Sequence, residues 1–165
     1  MRGGVCGLIV GLLQRFPGRE SHTKACELVR NLARDEVTHE ALSTPPAGES
    51  RSVWDALASG ASYDHNSSYR EAWLSFFCMT VNLAIHYPVA VHASEVVLAG
   101  GSTTLELILA VLRHPSNLDD AELQAEGMSC LATIAFDLPR VQENLMGANM
   151  GAVDHIVAMM ASPPL

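Results

Sequence analysis

The sequence predicts an all-α protein, a right-handed α-solenoid of about three helical repeats with partial units at both ends. Three observations carry that expectation. Apolar residues recur at helical spacing, while strand-like alternation never lasts more than a few residues and no Asn-Gly or Asp-Gly turn occurs. The triplet Asn31-Leu32-Ala33 returns as Asn82-Leu83-Ala84 and, altered, as Thr133-Ile134-Ala135, 51 residues apart each time. The same spacing separates Pro88 from Pro139 and Gly100 from Gly151, and it aligns Glu20, Glu71 and Glu122 in one column. Leu28, Met79 and Cys130 form another column, and so do Leu32, Leu83 and Ile134. Agreement among unrelated residue types marks a tandem repeat, and a repeat that cannot bury its apolar face alone stacks on its neighbours.

The elements follow in order. Val5 to Leu13 is too short to span a membrane, and no small-residue cleavage site follows it, so it reads as a buried core helix rather than a leader. A helix ending at "VRNLA" comes next, then a Pro/Gly/Ser-rich insert at 43–52. A short helix precedes the polar loop 60–68, whose "NSS" matches a glycosylation acceptor but reads only as loop. Residues 68–87 are apolar nearly all round and should be buried between neighbours, with Ser68 and Glu71 as a capping box. The next unit reads as a short helix at 88–99, a Gly turn, a helix at 102–114 and a long helix at 118–136. Thr103 with Glu106 and Asp119 with Glu122 are its capping boxes, and Asn117 offers a cap slightly earlier. Pro88 and Pro139 each open a helix, where the missing N–H costs nothing. The 165 residues therefore divide into units at 1–34, 35–86 (with the insert), 87–137 and a partial 138–165, within one domain.

Composition narrows the function. Apolar residues make up 48% of the chain and charged ones 17%, enough to build a core without disorder. The net charge of −8 is uneven: residues 1–42 carry six basic and five acidic side chains, and 43–165 carry four basic and thirteen acidic. Lys24 is the only lysine, so no basic stripe exists to neutralise phosphates, and nucleic acid is excluded as a partner. A basic protein segment is the natural complement. Cys6, Cys26, Cys78 and Cys130 lie in apolar helical runs without a C-x-x-C pair, which points to reduced cysteines and a cytoplasmic or nuclear setting. No metalloprotease, P-loop, dinucleotide or nucleophile-elbow motif is present. His86 and His92 lack further ligands at metal spacing and read as solvent-facing or capping, and adjacent Asp64 and His65 lack a third group to orient them. No enzyme, cofactor or metal is expected.

The Gly-Gly or Gly-Ala turns that open "GGVCGLIVGLLQRF", "GGSTTLELILAVLRH" and "GAVDHIVAMM", with the long helices ending "VRNLA", "TVNLA" and "LATIA", resemble the armadillo repeat over nearly the whole chain. HEAT-type repeats are the close alternative. The 51-residue period departs from the armadillo unit of near forty residues, because loops after the second helices are longer. The resemblance implies a concave groove, lined by the third helices, that holds an extended peptide whose backbone bonds a recurring Asn. The matching positions are Asn31 and Asn82, with Thr133 a weaker substitute; their other reading is as amides bonded to neighbouring helices. The slots that hold Trp in nuclear-import receptors are Glu27, Cys78 and Ser129 here, against an import-receptor role. A turn earlier stand Lys24, Ser75 and Glu126, and a turn later Asp35, His86 and Asp137, giving a polar groove that is acidic toward its C-terminal end. The resulting expectation is a scaffold for an extended, basic segment of another protein. The alternative is an assembly piece of a longer array, or a homo-oligomer, joined through uncapped terminal helices such as the Val153, Ile156, Val157 and Met160 face.

Overall fold

In a computed structural model, residues 3–61, 64–98, 101–147 and 150–161 are described. Ten α-helices and no strand occur among them. They are α1 (Gly3–Arg15), α2 (Arg19–Leu32), α3 (His39–Ser43), α4 (Val53–Gly60), α5 (Arg70–Ala84), α6 (Tyr87–Glu95), α7 (Thr104–Arg113), α8 (Ala121–Ala135), α9 (Pro139–Met146) and α10 (Ala152–Ala161). Short 3₁₀ turns at Glu36–Thr38, Ser67–Tyr69 and Pro115–Asn117 precede α3, α5 and α8.

The 51-residue spacing reappears in the element boundaries. Helices α2, α5 and α8 begin at Arg19, Arg70 and Ala121, and α4 and α7 begin at Val53 and Thr104. Local chemistry sets these starts. Thr103 accepts from the Glu106 N–H while the Glu106 carboxylate accepts from the Thr103 N–H, closing the expected capping box. Ser52 and Asp55 close an identical box on α4. Ser52 stands one repeat before Thr103, so the last residue of the insert is a helix cap.

Two expected caps are different. Ser68 does not cap α5: its N–H donates to the Asn66 side chain in the 3₁₀ turn, and Glu71 pairs with Arg70. At α8 the cap is Asp120, accepting from the Leu123 N–H, rather than Asp119. Asn117 caps nothing there; its amide donates to the His65 and Val111 carbonyls, a buried cross-link that no local sequence pattern reveals. In both places the 3₁₀ turn displaces the helix start, and a cap serves only the residue that immediately precedes the helix.

Helix α5 lies between α2 and α8, its equivalents one repeat away on either side. Side chains tie these elements together at nearly constant sequence separation. Arg19 donates to the Ser68 carbonyl at 3.2 Å, its guanidinium 5.0 Å from the centre of the Tyr69 ring. Arg70, one repeat on, grips Asp120 with Nε at 2.5 Å and Nη2 at 3.2 Å, and also pairs with Glu122. The Ser67 N–H donates to Ser116 Oγ at 2.9 Å, and Cys130 Sγ donates to the Phe77 carbonyl at 3.1 Å. The Arg70 fork holds the Asp120 carboxyl below the usual range.

The core concentrates the chain's few large aromatics. Trp54, Trp73, Phe76 and Phe77 are fully buried, with Trp73 edge-on to Phe76 at 5.9 Å and Trp54 stacked on Phe76 at 6.2 Å. Helix α1 buries only one face, through Cys6, Ile9 and Val10; Val5, Leu8 and Leu12 are exposed, so it is not the fully buried helix its composition suggests. The tightest crossing is at Gly127 of α8, where a Cβ would meet Leu112 Cδ2 at 2.5 Å and Phe77 Cε2 at 3.1 Å. Gly127→Val should therefore cost about 1–3 kcal/mol in urea unfolding, the usual range for overpacking. A variant as stable as the parent would mean that Leu112 and Phe77 move aside freely.

Candidate functional site

The residues expected to line a groove fall on α2, α5 and α8 and the segments that follow them, with very different exposure. Lys24, Asn31, Ser129 and Asp137 are exposed; Glu27, Cys78, Asn82, His86, Glu126 and Thr133 are half-buried. Ser75 is only 9% exposed, so it is not an open groove position: α5 presents it to its neighbours. Several of the others satisfy one another. Lys24 Nζ pairs with Glu27 at 2.9 Å, and Thr133 Oγ1 donates to the Ser129 carbonyl one turn earlier. Cys78 Sγ lies 3.7 Å from Glu126 Oε2, and burial together with the Glu126 charge raises the thiol pKa.

The two repeat asparagines have parted roles. Asn82 donates through Nδ2 to the Arg30 carbonyl at 3.1 Å, an amide used to hold α5 on α2. Asn31 is exposed, and its side chain makes no hydrogen bond among the described residues. Asp35 caps the first 3₁₀ turn through the Val37 N–H. Beyond Thr133, the ends of α5 and α8 and the start of α6 enclose a cleft of about 440 Å³ that includes Thr133 and Asp137.

On the terminal face, Val153 and Val157 are exposed at 43% and 58%, while Ile156 is half-buried; the Met160 side chain lies outside the described residues. Helix α10 is fastened from its other side. His155, 7% exposed, donates to Gln124 Oε1 at 3.0 Å, and Gln124 in turn donates to the Leu112 and Asn117 carbonyls.

Polar groups form a bridge between α4 and α6. The sequence context of His92 suggests a solvent-facing or capping residue; instead its Nδ1 accepts from the Trp54 indole N–H at 3.1 Å and its Nε2 pairs with Asp55. Burial alone would raise the Asp55 pKa, but hydrogen bonds from His92 and Ser52 outweigh it and hold it at about 2. Ser52 Oγ donates to Asp55 rather than to an imidazole, so serine, histidine and aspartate meet without making a nucleophile–base pair. Ser52 and Asp55 stand one repeat before Thr103 and Glu106, a correspondence visible in the sequence, whereas no sequence pattern marks the partner of Asp55, His92 on α6. His86 lies beside the His39 ring, with centroids 6.1 Å apart. No group of three or more metal-ligating side chains occurs among the described residues, and no helix there is long and apolar enough to cross a membrane. The four cysteines are unpaired, and burial raises the pKa of Cys26 and Cys130.

No family model, curated protein or solved structure matches the chain. The functional reading rests on the geometry.

Two buried histidines give that geometry a pH signature. His22, 4% exposed, donates to the Leu57 carbonyl at 2.6 Å against Gly60, where a Cβ would clash with the ring. Burial lowers its pKa and that of His155 below 6.5. A lowered folded-state pKa means that the unfolded chain takes up protons first. The stability is complete above about pH 6.5 and is lost as pH falls through the folded values. Melting temperature should decline on acidification below pH 6.5, and His22→Gln should flatten that decline; an unchanged acid limb would contradict it.

Proposed function

We propose that the chain is an armadillo-like solenoid that serves as a non-enzymatic scaffold, holding an extended, basic segment of another protein along the third helices of its repeats. The observation that carries this reading is the packing of equivalent helices. Hydrogen bonds join residues 48 to 53 apart, such as Cys78 with Glu126 and Cys130 with Phe77, as expected when each unit sets down on the last in the same pose. A row of equivalent helices presents repeated side chains at even spacing, the geometry an extended peptide needs. The HEAT-type arrangement shares this logic. Acidic side chains beyond residue 42 favour a basic segment, and unpaired cysteines support a reducing compartment, cytoplasm or nucleus.

In this scaffold Asn31 offers a free amide to a peptide backbone, whereas Asn82 serves the stack. The two alanine variants should therefore behave differently. Against an array of extended peptides bearing Arg or Lys, Asn31→Ala should weaken binding by about 0.5–1.5 kcal/mol, roughly two- to tenfold, with the melting temperature unchanged. Asn82→Ala should lower the melting temperature first. A stable Asn31→Ala protein with undiminished binding would remove the groove reading.

A second reading, assembly through terminal helices, is favoured by the apolar surface at both ends. Val5, Leu8, Leu12, Phe16 and Leu28 are between 47% and 62% exposed on α1, α2 and the turn between them, and Val153 and Val157 are exposed on α10. Distinct patches at opposite ends of a chain suit a head-to-tail contact, with a further repeat or a second copy. Sedimentation should show concentration-dependent association that Leu8→Glu with Leu12→Glu abolishes. A monomer at every concentration would reject this reading.

A further inference from the structure

We propose that the cleft between the C-terminal ends of α5 and α8 is a recognition pocket for an arginine side chain of the bound segment. The inference rests on the groove reading and adds to it a specific anchor, set apart from the asparagine column.

The shape comes from alanine. Ala84, Ala90 and Ala132 leave a cleft of about 440 Å³ where larger side chains would close it. Tyr87 and Phe136 line it, 60% and 72% exposed, the latter just after α8 ends. Exposed aromatic rings lining a slot offer flat surfaces to a planar cation and its aliphatic stem. Asp137 completes the site. It is an exposed carboxylate held at φ 55°, a left-handed conformation that costs any residue but glycine some strain.

The charged side chain that lines the pocket is Asp137. No lysine or arginine lines it, and α5 and α8 bring two C-terminal, partially negative ends to it against the single N-terminal end of α6 at Tyr87. An acidic segment would be repelled. An apolar side chain would fill the slot but make no use of the Asp137 charge. Arginine matches both halves, its stem against the rings and its fork on the carboxylate, whereas lysine offers a compact charge that stacks less well.

The test uses the whole chain, ¹⁵N-labelled, titrated with N-acetylargininamide and, in parallel, with N-acetyllysinamide and N-acetylnorleucinamide. Saturable shifts at Ile85, Tyr87, Phe136 and Asp137 in the millimolar range are expected for the arginine probe, weaker ones for lysine, and none for norleucine. Asp137→Asn should weaken the arginine probe about fivefold or more, because it removes the charge. Asparagine tolerates the left-handed conformation, so the variant should keep its fold. Ala132→Leu, at an exposed position, should block the slot without disturbing the core. Absent or non-saturating shifts, equal binding of the norleucine probe, or full affinity in either variant would overturn the proposal. The probe has no peptide for Asn31 to hold, so Asn31→Ala should leave it unaffected. Failure of the groove reading and failure of the pocket are thereby told apart.

Discussion

The side-by-side contact of α5 with α2 and α8 is the constraint on which the rest of the molecule depends. Helix α5 carries Trp73, Phe76 and Phe77, three of the four large aromatic side chains that are fully buried, and its neighbours reach them only by close approach. Gly127 permits that approach on one side, and Ala25 stands in the same column on α2. Because buried aromatic area dominates the hydrophobic term, a shift of α5 along either neighbour would expose more apolar surface than any polar link could offset. Arg19 and Arg70, at the first residue of α2 and α5, then set the lateral register by gripping the segment one repeat ahead.

That packing decides which polar groups remain for a partner. Once α5 lies on α2, the half-buried Asn82 amide meets the Arg30 carbonyl and serves the helix contact. Asn31 is exposed and makes no side-chain hydrogen bond among the described residues. The same contact brings the ends of α5 and α8 together, so that Ile85, Tyr87, Phe136 and Asp137, separated by up to 52 residues, share one cleft. The proposed scaffold is thus asymmetric along its length. Its free amide lies on α2, and its acidic, aromatic cleft lies at the far ends of α5 and α8.

The insert and loop that lengthen the repeat are structural parts. Ser52 ends the insert as the cap of α4, and Asp55 and Trp54 of α4 both bond His92 of α6. The polar loop supplies the Asp64 carbonyl to the Trp73 indole and the His65 carbonyl to Asn117. These bonds satisfy buried donors that an apolar core could not accommodate alone. They tie the insert and the loop into the core rather than leaving them as free excursions.

The sequence by itself determined the helical class, the 51-residue period and the Thr103 cap, because periodicity and capping are local and are expressed in neighbouring residues. The Ser52 cap stands one repeat before Thr103 and became visible in the structure. The tertiary structure alone decided that Ser75 is covered, that Asn82 is bonded and Asn31 free, that His92 bridges two helices, and that Asp120 rather than Asp119 opens α8. Each of these depends on what a distant part of the chain places opposite a side chain or, for Asp120, on where a 3₁₀ turn delivers the backbone. Residues in one column share a local pattern but not a neighbour, and burial and hydrogen bonding are properties of the neighbour.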